Sequence, residues 1–204
     1  MKHTVLYIHG KGGSAEECEH YKPLFPGREI TGLDYRTFTP WETGAEICTA
    51  VKALRTAENN VTLIANSIGA YFSLHAGIDG IIKSAYFISP LTDMEGLILA
   101  SLQQMNATEA QLKENGTLLT PWGETLSWDY LTYVRNHPVT WNVPTHILYG
   151  SEDALIPYET VKTFAEKHNA TLTVMESGEH WFHTEEQMHF LDEWIRAYET
   201  KESN

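Results

Sequence analysis

The sequence predicts an α/β fold, a mainly parallel sheet with helices on both faces. Three observations predict it. Short β-rich apolar runs alternate with helix-period patterns along most of the chain, the arrangement that builds a parallel sheet through right-handed helical crossovers. The run Val61-Thr62-Leu63-Ile64-Ala65 is apolar almost throughout, as in a strand buried on both faces. Residues able to do chemistry gather just after predicted strands, where open α/β sheets place their sites.

The elements follow in order. Thr4 to Ile8 reads as the first strand, and Ser14 caps a helix from Ala15 to about Tyr21. Pro23 and Pro26 are expected to end that helix, because proline cannot continue it. Glu29 to Asp34 reads as a strand. Thr43 to Glu58 reads as a helix, with Ile47, Val51 and Leu54 recurring on one face. Val61 to Ala65 is the next strand and Ile68 to Ala76 the helix after it. Ala85 to Ser89 and Thr145 to Tyr149 are further strands. Val161 to His168 is a helix, Thr171 to Met175 a strand, and Glu185 to Tyr198 a terminal helix.

The rhythm breaks between Pro90 and Pro144, where no good strand is visible. Met94 to Met105 and Glu109 to Glu114 look helical, and an aromatic stretch follows with Trp122, Trp128, Tyr130, Tyr133 and Trp141. The expectation is one domain over residues 1–204, with residues 91–142 inserted between two strands.

Composition bounds the function. The 204 residues carry a formal net charge of −13, which repels polyanions, so nucleic acid is not an expected partner. No run approaches the roughly 20 apolar residues of a membrane span, and no secretory h-region is visible. The expectation is a cytoplasmic protein with a small-molecule substrate and no membrane partner. The two cysteines, Cys18 and Cys48, are too few for a disulfide framework and read as idle thiols.

Ser67 follows a buried strand and precedes a helix. A sharp turn there forces a strained backbone and requires small neighbours two residues away, which Ala65 and Gly69 supply. Asn66 and Ser67 could instead simply cap a helix. If Ser67 is a nucleophile, the Ile68 N–H at the helix start can stabilise an oxyanion. A second donor must come from an adjacent loop. The run His9-Gly10-Lys11-Gly12-Gly13 after the first strand supplies Lys11 N–H, with Gly12 N–H as the alternative. That run lacks the spacing of a dinucleotide fingerprint and the ending of a P-loop.

Asp153 leaves another strand end, with Glu152 as the rival acid. His180 leaves the last strand, with His183 as the rival base; an imidazole of pKa about 6.5 suits general-base work at neutral pH. Two histidines without a third ligand make a poor metal site, so no metal and no cofactor are expected. The order serine, acid, histidine, each at a predicted strand end, is far more specific than any one motif.

At this point the chain resembles the α/β-hydrolase superfamily in its compact serine esterase or lipase-like form. The pieces that carry the resemblance are Tyr7-Ile8-His9-Gly10, Ala65-Asn66-Ser67-Ile68-Gly69, Gly150 to Pro157 and Gly178-Glu179-His180. The resemblance implies an α/β-hydrolase fold with a sheet of about six strands, shorter by the usual first hairpin, as in hydrolases of the YdeN or YqiA type. It also implies a helical cap formed by the 91–142 insertion. The implied activity is ester hydrolysis through an acyl-enzyme on Ser67, Asp153 and His180, with Lys11 and Ile68 as oxyanion donors. Trp122 and Trp128, with Trp181 beside the histidine, are candidate pocket residues; packing is the competing role for such aromatics. Thioester or amide cleavage, acyl transfer, and a non-catalytic binding role all remain open on the same residues.

Overall fold

A computed structural model describes residues 2–202. They fall into two compact units, Met1–Thr92 with Trp141–Asn204, and Asp93–Thr140.

The first unit is built on β1 (Lys2–Ile8), β2 (Glu29–Leu33), α1 (Pro40–Leu54), β3 (Asn59–Asn66), α2 (Ile68–Leu74) and β4 (Ser84–Ile88). The second unit contributes α3 (Met94–Gln104), α4 (Glu109–Asn115), β5 (Thr117–Leu119), β6 (Thr125–Ser127) and α5 (Trp128–Asn136). The first unit resumes with β7 (Thr145–Gly150), α6 (Tyr158–His168), β8 (Thr171–Met175) and α7 (Glu185–Glu202).

Six strands form one sheet in the order β2-β1-β3-β4-β7-β8, and every neighbouring pair in it is parallel. A parallel sheet needs both faces covered, and side-chain alternation supplies two apolar faces. Val5, Tyr7, Ile64, Tyr86, Ile88 and Leu148 share one face with Tyr21, Leu24 and Phe25 and with Leu191, Trp194 and Ile195 of α7. The alternate residues Leu6, Ile8, Leu63, Ala65, Phe87 and Ile147 are buried as well, on the face where α1 and α2 pack against β1 and β3.

The strand order reverses between β1 and β3. The chain steps outward from β1 to β2, then returns to the other side of β1 for β3. Such a switch point leaves a crevice at the carboxyl ends of the two strands. Ile8 is in register with Ala65 there, so the loop after β1 and the turn after β3 stand side by side.

Three expectations need correction. The Ala15 helix is a 3-10 helix that runs to Leu24 with Pro23 inside it. The capping box at Ser14 and Glu17 starts it, but it does not stop at Pro23. The α1 helix begins earlier, at Pro40 behind the Thr39 cap, and ends at Leu54 rather than Glu58; proline is favoured in the first turn because its missing N–H costs nothing there. The 90–144 segment does contain strands. Thr117–Leu119 and Thr125–Ser127 pair antiparallel, a hairpin too short to display a period of two. No helix among the described residues is long and apolar enough to cross a membrane.

Candidate active site

Ser67 sits in the turn between β3 and α2 with φ 51 and ψ −119. This is a region that L-residues other than glycine rarely occupy, at a cost of about 1–3 kcal/mol. The turn is held from several sides. Ser67 N–H donates to Ile88 O at 3.0 Å, and Ser67 O accepts from Ala70 N–H and Leu91 N–H, both at 3.1 Å. Gly69 is required by close approach, since a Cβ there would stand 2.4 Å from His9 O and 2.8 Å from Ile8 O. The small neighbours thus let the β1 loop press against the elbow. Ile68 opens α2, where the first N–H groups have no intrahelical acceptor.

Asp153 and His180 come from the ends of β7 and β8, and the two loops are stapled together. Glu152 N–H donates to Gly178 O at 2.8 Å and Ser151 N–H to Met175 O at 2.9 Å. The Ser151 hydroxyl accepts from Ser177 N–H at 2.8 Å. The loops touch so closely that a Cβ on Gly150 would lie 2.3 Å from Gly178 O. The Asp153 side chain is fully buried and His180 nearly so. One carboxylate oxygen of Asp153, Oδ1, accepts from Leu155 N–H at 2.8 Å and Ile156 N–H at 2.9 Å. The Tyr149 hydroxyl donates to Ile156 O at 2.6 Å and anchors the same turn. Burial, with the Asp153 charge nearby, pushes that phenol up to about 12, so it stays a donor.

These placements bring three side chains together. His180 Nδ1 lies 2.7 Å from Asp153 Oδ2, and His180 Nε2 lies 2.9 Å from Ser67 Oγ. The tautomer this network requires has Nδ1–H donating to the carboxylate and an Nε2 lone pair accepting the serine hydroxyl. Such a chain can take a proton from Ser67 while the buried carboxylate stabilises the resulting imidazolium. The rivals stand elsewhere. His183 is exposed, with Nδ1–H donating to Trp181 O at 2.7 Å and the Glu179 carboxylate 3.4 Å from the same nitrogen. Glu152 meets Gly178 through its backbone, while Asp153 meets the histidine.

Lys11 lies exposed in the loop after β1. Trp181 is 63% exposed, its ring edge-on to His180 at 6.1 Å between centroids. Trp122 and Trp128 belong to the second unit. Trp122 is in the turn between β5 and β6, and Trp128 opens α5 with the Lys113 ammonium 5.5 Å above its ring. Trp141 packs as core, its indole N–H donating to the Thr145 hydroxyl at 2.8 Å. Cys18 and Cys48 are free thiols. Among the described residues no three His, Cys, Asp or Glu side chains are grouped to hold a metal ion.

Sequence reasoning missed Tyr149, Ser151, Ser177 and Tyr35. Tyr35 follows β2, stacks on His9 at 4.1 Å between ring centroids, and donates its hydroxyl to His9 O at 3.0 Å. No motif links these residues. Only the sheet order brings the end of β2 beside the end of β1.

No model of a known protein family matches the sequence, and no curated protein matches it by sequence. Solved structures do match in three dimensions. Est1E from Butyrivibrio proteoclasticus superposes with a TM-score of 0.79 at 17% identity, over 98% of this chain and 88% of that one. Mouse alpha/beta hydrolase domain-containing protein 10 gives 0.77 at 17%, over 97% and 90%. A lipase-esterase related protein from Clostridium acetobutylicum gives 0.63 at 15%, over 96% and 93%. The chain has the α/β-hydrolase fold. At these identities the likeness speaks for the fold, and the chemistry has to be argued from the site.

Proposed function

We propose that the protein is a serine hydrolase that cleaves a carboxylic ester of a small molecule through an acyl-enzyme. The observation that carries the reading is the contact chain Ser67 Oγ, His180 Nε2, His180 Nδ1, Asp153 Oδ2, with links of 2.9 and 2.7 Å. Ester as the bond cleaved draws further support from a fold neighbour described as a lipase-esterase related protein.

His180 takes the Ser67 proton as Oγ attacks the ester carbonyl. The carbonyl oxygen gains the negative charge and is met by the N–H groups of Ile68 and Lys11. The tetrahedral intermediate collapses, and His180 gives its proton to the departing alkoxide, which leaves as the alcohol. Water then attacks the acyl-serine with His180 as base again, releasing the acid and restoring Ser67. Asp153 keeps the imidazole in the productive tautomer throughout. This chemistry requires neither metal nor organic cofactor. Trp181, beside His180 and open to solvent, offers apolar surface to the ester's acyl or alcohol part.

The test is covalent labelling by a fluorophosphonate, with turnover of p-nitrophenyl acetate measured alongside. The wild type is expected to label at Ser67 and to release p-nitrophenol, and folded Ser67→Ala to do neither. Labelling of Ser67→Ala at the wild-type rate would remove the assignment.

A further inference from the structure

The loop after β1 is held more tightly than a glycine-rich turn needs to be, and the hold comes from a side chain outside the contact chain. His9 and Tyr35 are each 4% exposed. Their rings lie nearly parallel, 6° apart, and Tyr35 in turn meets Phe72 of α2 and Phe38 edge-on. The Tyr35 hydroxyl donates to His9 O at 3.0 Å. Burial holds the Tyr35 phenol well above its ordinary pKa, so it remains a donor. The His9 ring donates its Nδ1–H to Gly10 O at 2.8 Å, and Gly13 N–H donates to the same oxygen at 3.2 Å. Two consecutive carbonyls, of residues 9 and 10, are therefore both held. Among the described residues His9 Nε2 is buried with no hydrogen-bond partner, so the ring's hydrogen bond is the one that fixes Gly10.

A peptide unit is planar, with its C=O and N–H pointing in opposite directions. Holding Gly10 C=O inside the loop therefore turns the Lys11 N–H outward. Gly10 itself abuts the elbow, a Cβ there falling 3.3 Å from Ser67 Cβ. We infer that Tyr35, acting through His9, is a positioning residue that aims the Lys11 N–H at the oxyanion formed on Ser67. The inference rests on the hydrolase reading and adds to it a residue at the end of a different strand. Tyr35 touches no reacting atom. Its effect is to keep a donor oriented before charge develops, which is where electrostatic stabilisation gains most.

The experiment compares Tyr35→Phe with wild type on p-nitrophenyl acetate and on its thiono analogue, in which sulfur replaces the carbonyl oxygen. Sulfur is a poor hydrogen-bond acceptor, so thionoester turnover is insensitive to how well the oxyanion donors are aimed. Rates are normalised to the fraction titrated by fluorophosphonate, which removes differences in folding yield. Removing an oxyanion donor outright costs about 10²–10³ in kcat, and a donor merely released is expected to lose part of that, about tenfold. Tyr35→Phe should thus lower kcat on the oxoester about tenfold with KM unchanged, leave the thionoester rate near wild type, and shrink the oxo-to-thiono ratio accordingly. Tyr35→Leu, which also loses the ring stack, should shrink the ratio further. Equal losses on both esters, or no loss on either, would overturn the inference while leaving the hydrolase reading intact. A wild type that neither labels nor turns over would sink that reading and this inference with it.

Discussion

The two units of this chain are held together by different means. In the sheet unit, the residues that meet at Ser67 come from the ends of β1, β3, β7 and β8, and His180 lies 113 residues from the serine it touches. Their positions are fixed by bonds between distant loops, such as Glu152 to Gly178 and Ser67 to Ile88. In the 93–140 unit the fixing contacts are helix caps, a short hairpin and exposed ion pairs. Asp93, Thr108 and Ser127 cap α3, α4 and α5 in turn, two three-residue strands pair as a hairpin, and Arg135 gathers Glu95 and Glu109 on the surface. Precision over long sequence separations is what chemistry needs, because reacting groups must be held within fractions of an ångström. Local caps and surface pairs suffice to keep helices folded.

The comparison is broken most severely at Asp153. In Asp153→Asn the amide oxygen stays with Leu155 N–H and Ile156 N–H, because only an acceptor fits there. The NH₂ then faces His180 Nδ1, which must become an acceptor, and the proton moves to Nε2, where it blocks uptake from Ser67. The expected loss in kcat is about 10⁴ at neutral pH, with a melting temperature close to wild type because the side chain keeps its size and its loop bonds. Steady-state kinetics and a thermal melt on the same sample check both halves. A loss of under tenfold would argue against the tautomer role.

The fold was legible because buried parallel strands announce themselves: Val61 to Ala65, buried throughout, could be read from its apolar, β-branched content alone. The three side chains that meet in the candidate site were legible too, since serine, acid and histidine each follow a strand. What the sequence hid was the support. Tyr35, Tyr149 and Ser151 are ordinary residues whose importance comes from which strand ends stand next to each other, and that depends on sheet order. The β5–β6 hairpin was hidden for another reason. Three residues per strand leave no room for an alternation pattern, and a neighbouring helix signal outweighs it.

A moderate effect is expected from emptying the interior of the smaller unit. Leu131 on α5 is fully buried, and Leu131→Ala should cost about 2–5 kcal/mol, the usual range for a cavity of that size. Because Ser67, Asp153 and His180 all belong to the other unit, fluorophosphonate labelling below the melting temperature should persist. Chemical denaturation gives the stability change and the probe gives the rest. Loss of labelling in a protein still folded by circular dichroism would show that the division of labour is not as drawn.

The smallest effect is expected where the second unit's hold is electrostatic. The Arg135 guanidinium donates to Glu109 from both terminal nitrogens, at 2.7 and 3.0 Å, and from Nε to Glu95 at 2.7 Å. The hydrogen bonds from Arg135 hold the Glu109 carboxyl below its ordinary range. All three groups are substantially exposed, and exposed pairs are screened and worth little. The sign is nonetheless fixed. A carboxyl whose folded pKa lies below its unfolded value of about 4.3 contributes its stabilisation above that pH and loses it as pH falls through the folded value. Arg135→Met should therefore lower the melting temperature slightly at pH 7, and the gap from wild type should close as acidification carries the Glu109 carboxyl through its lowered folded pKa. Added salt at pH 7 should narrow the same gap. A gap that is constant across pH and salt would assign the role of Arg135 to the packing of its aliphatic stem rather than to its charge.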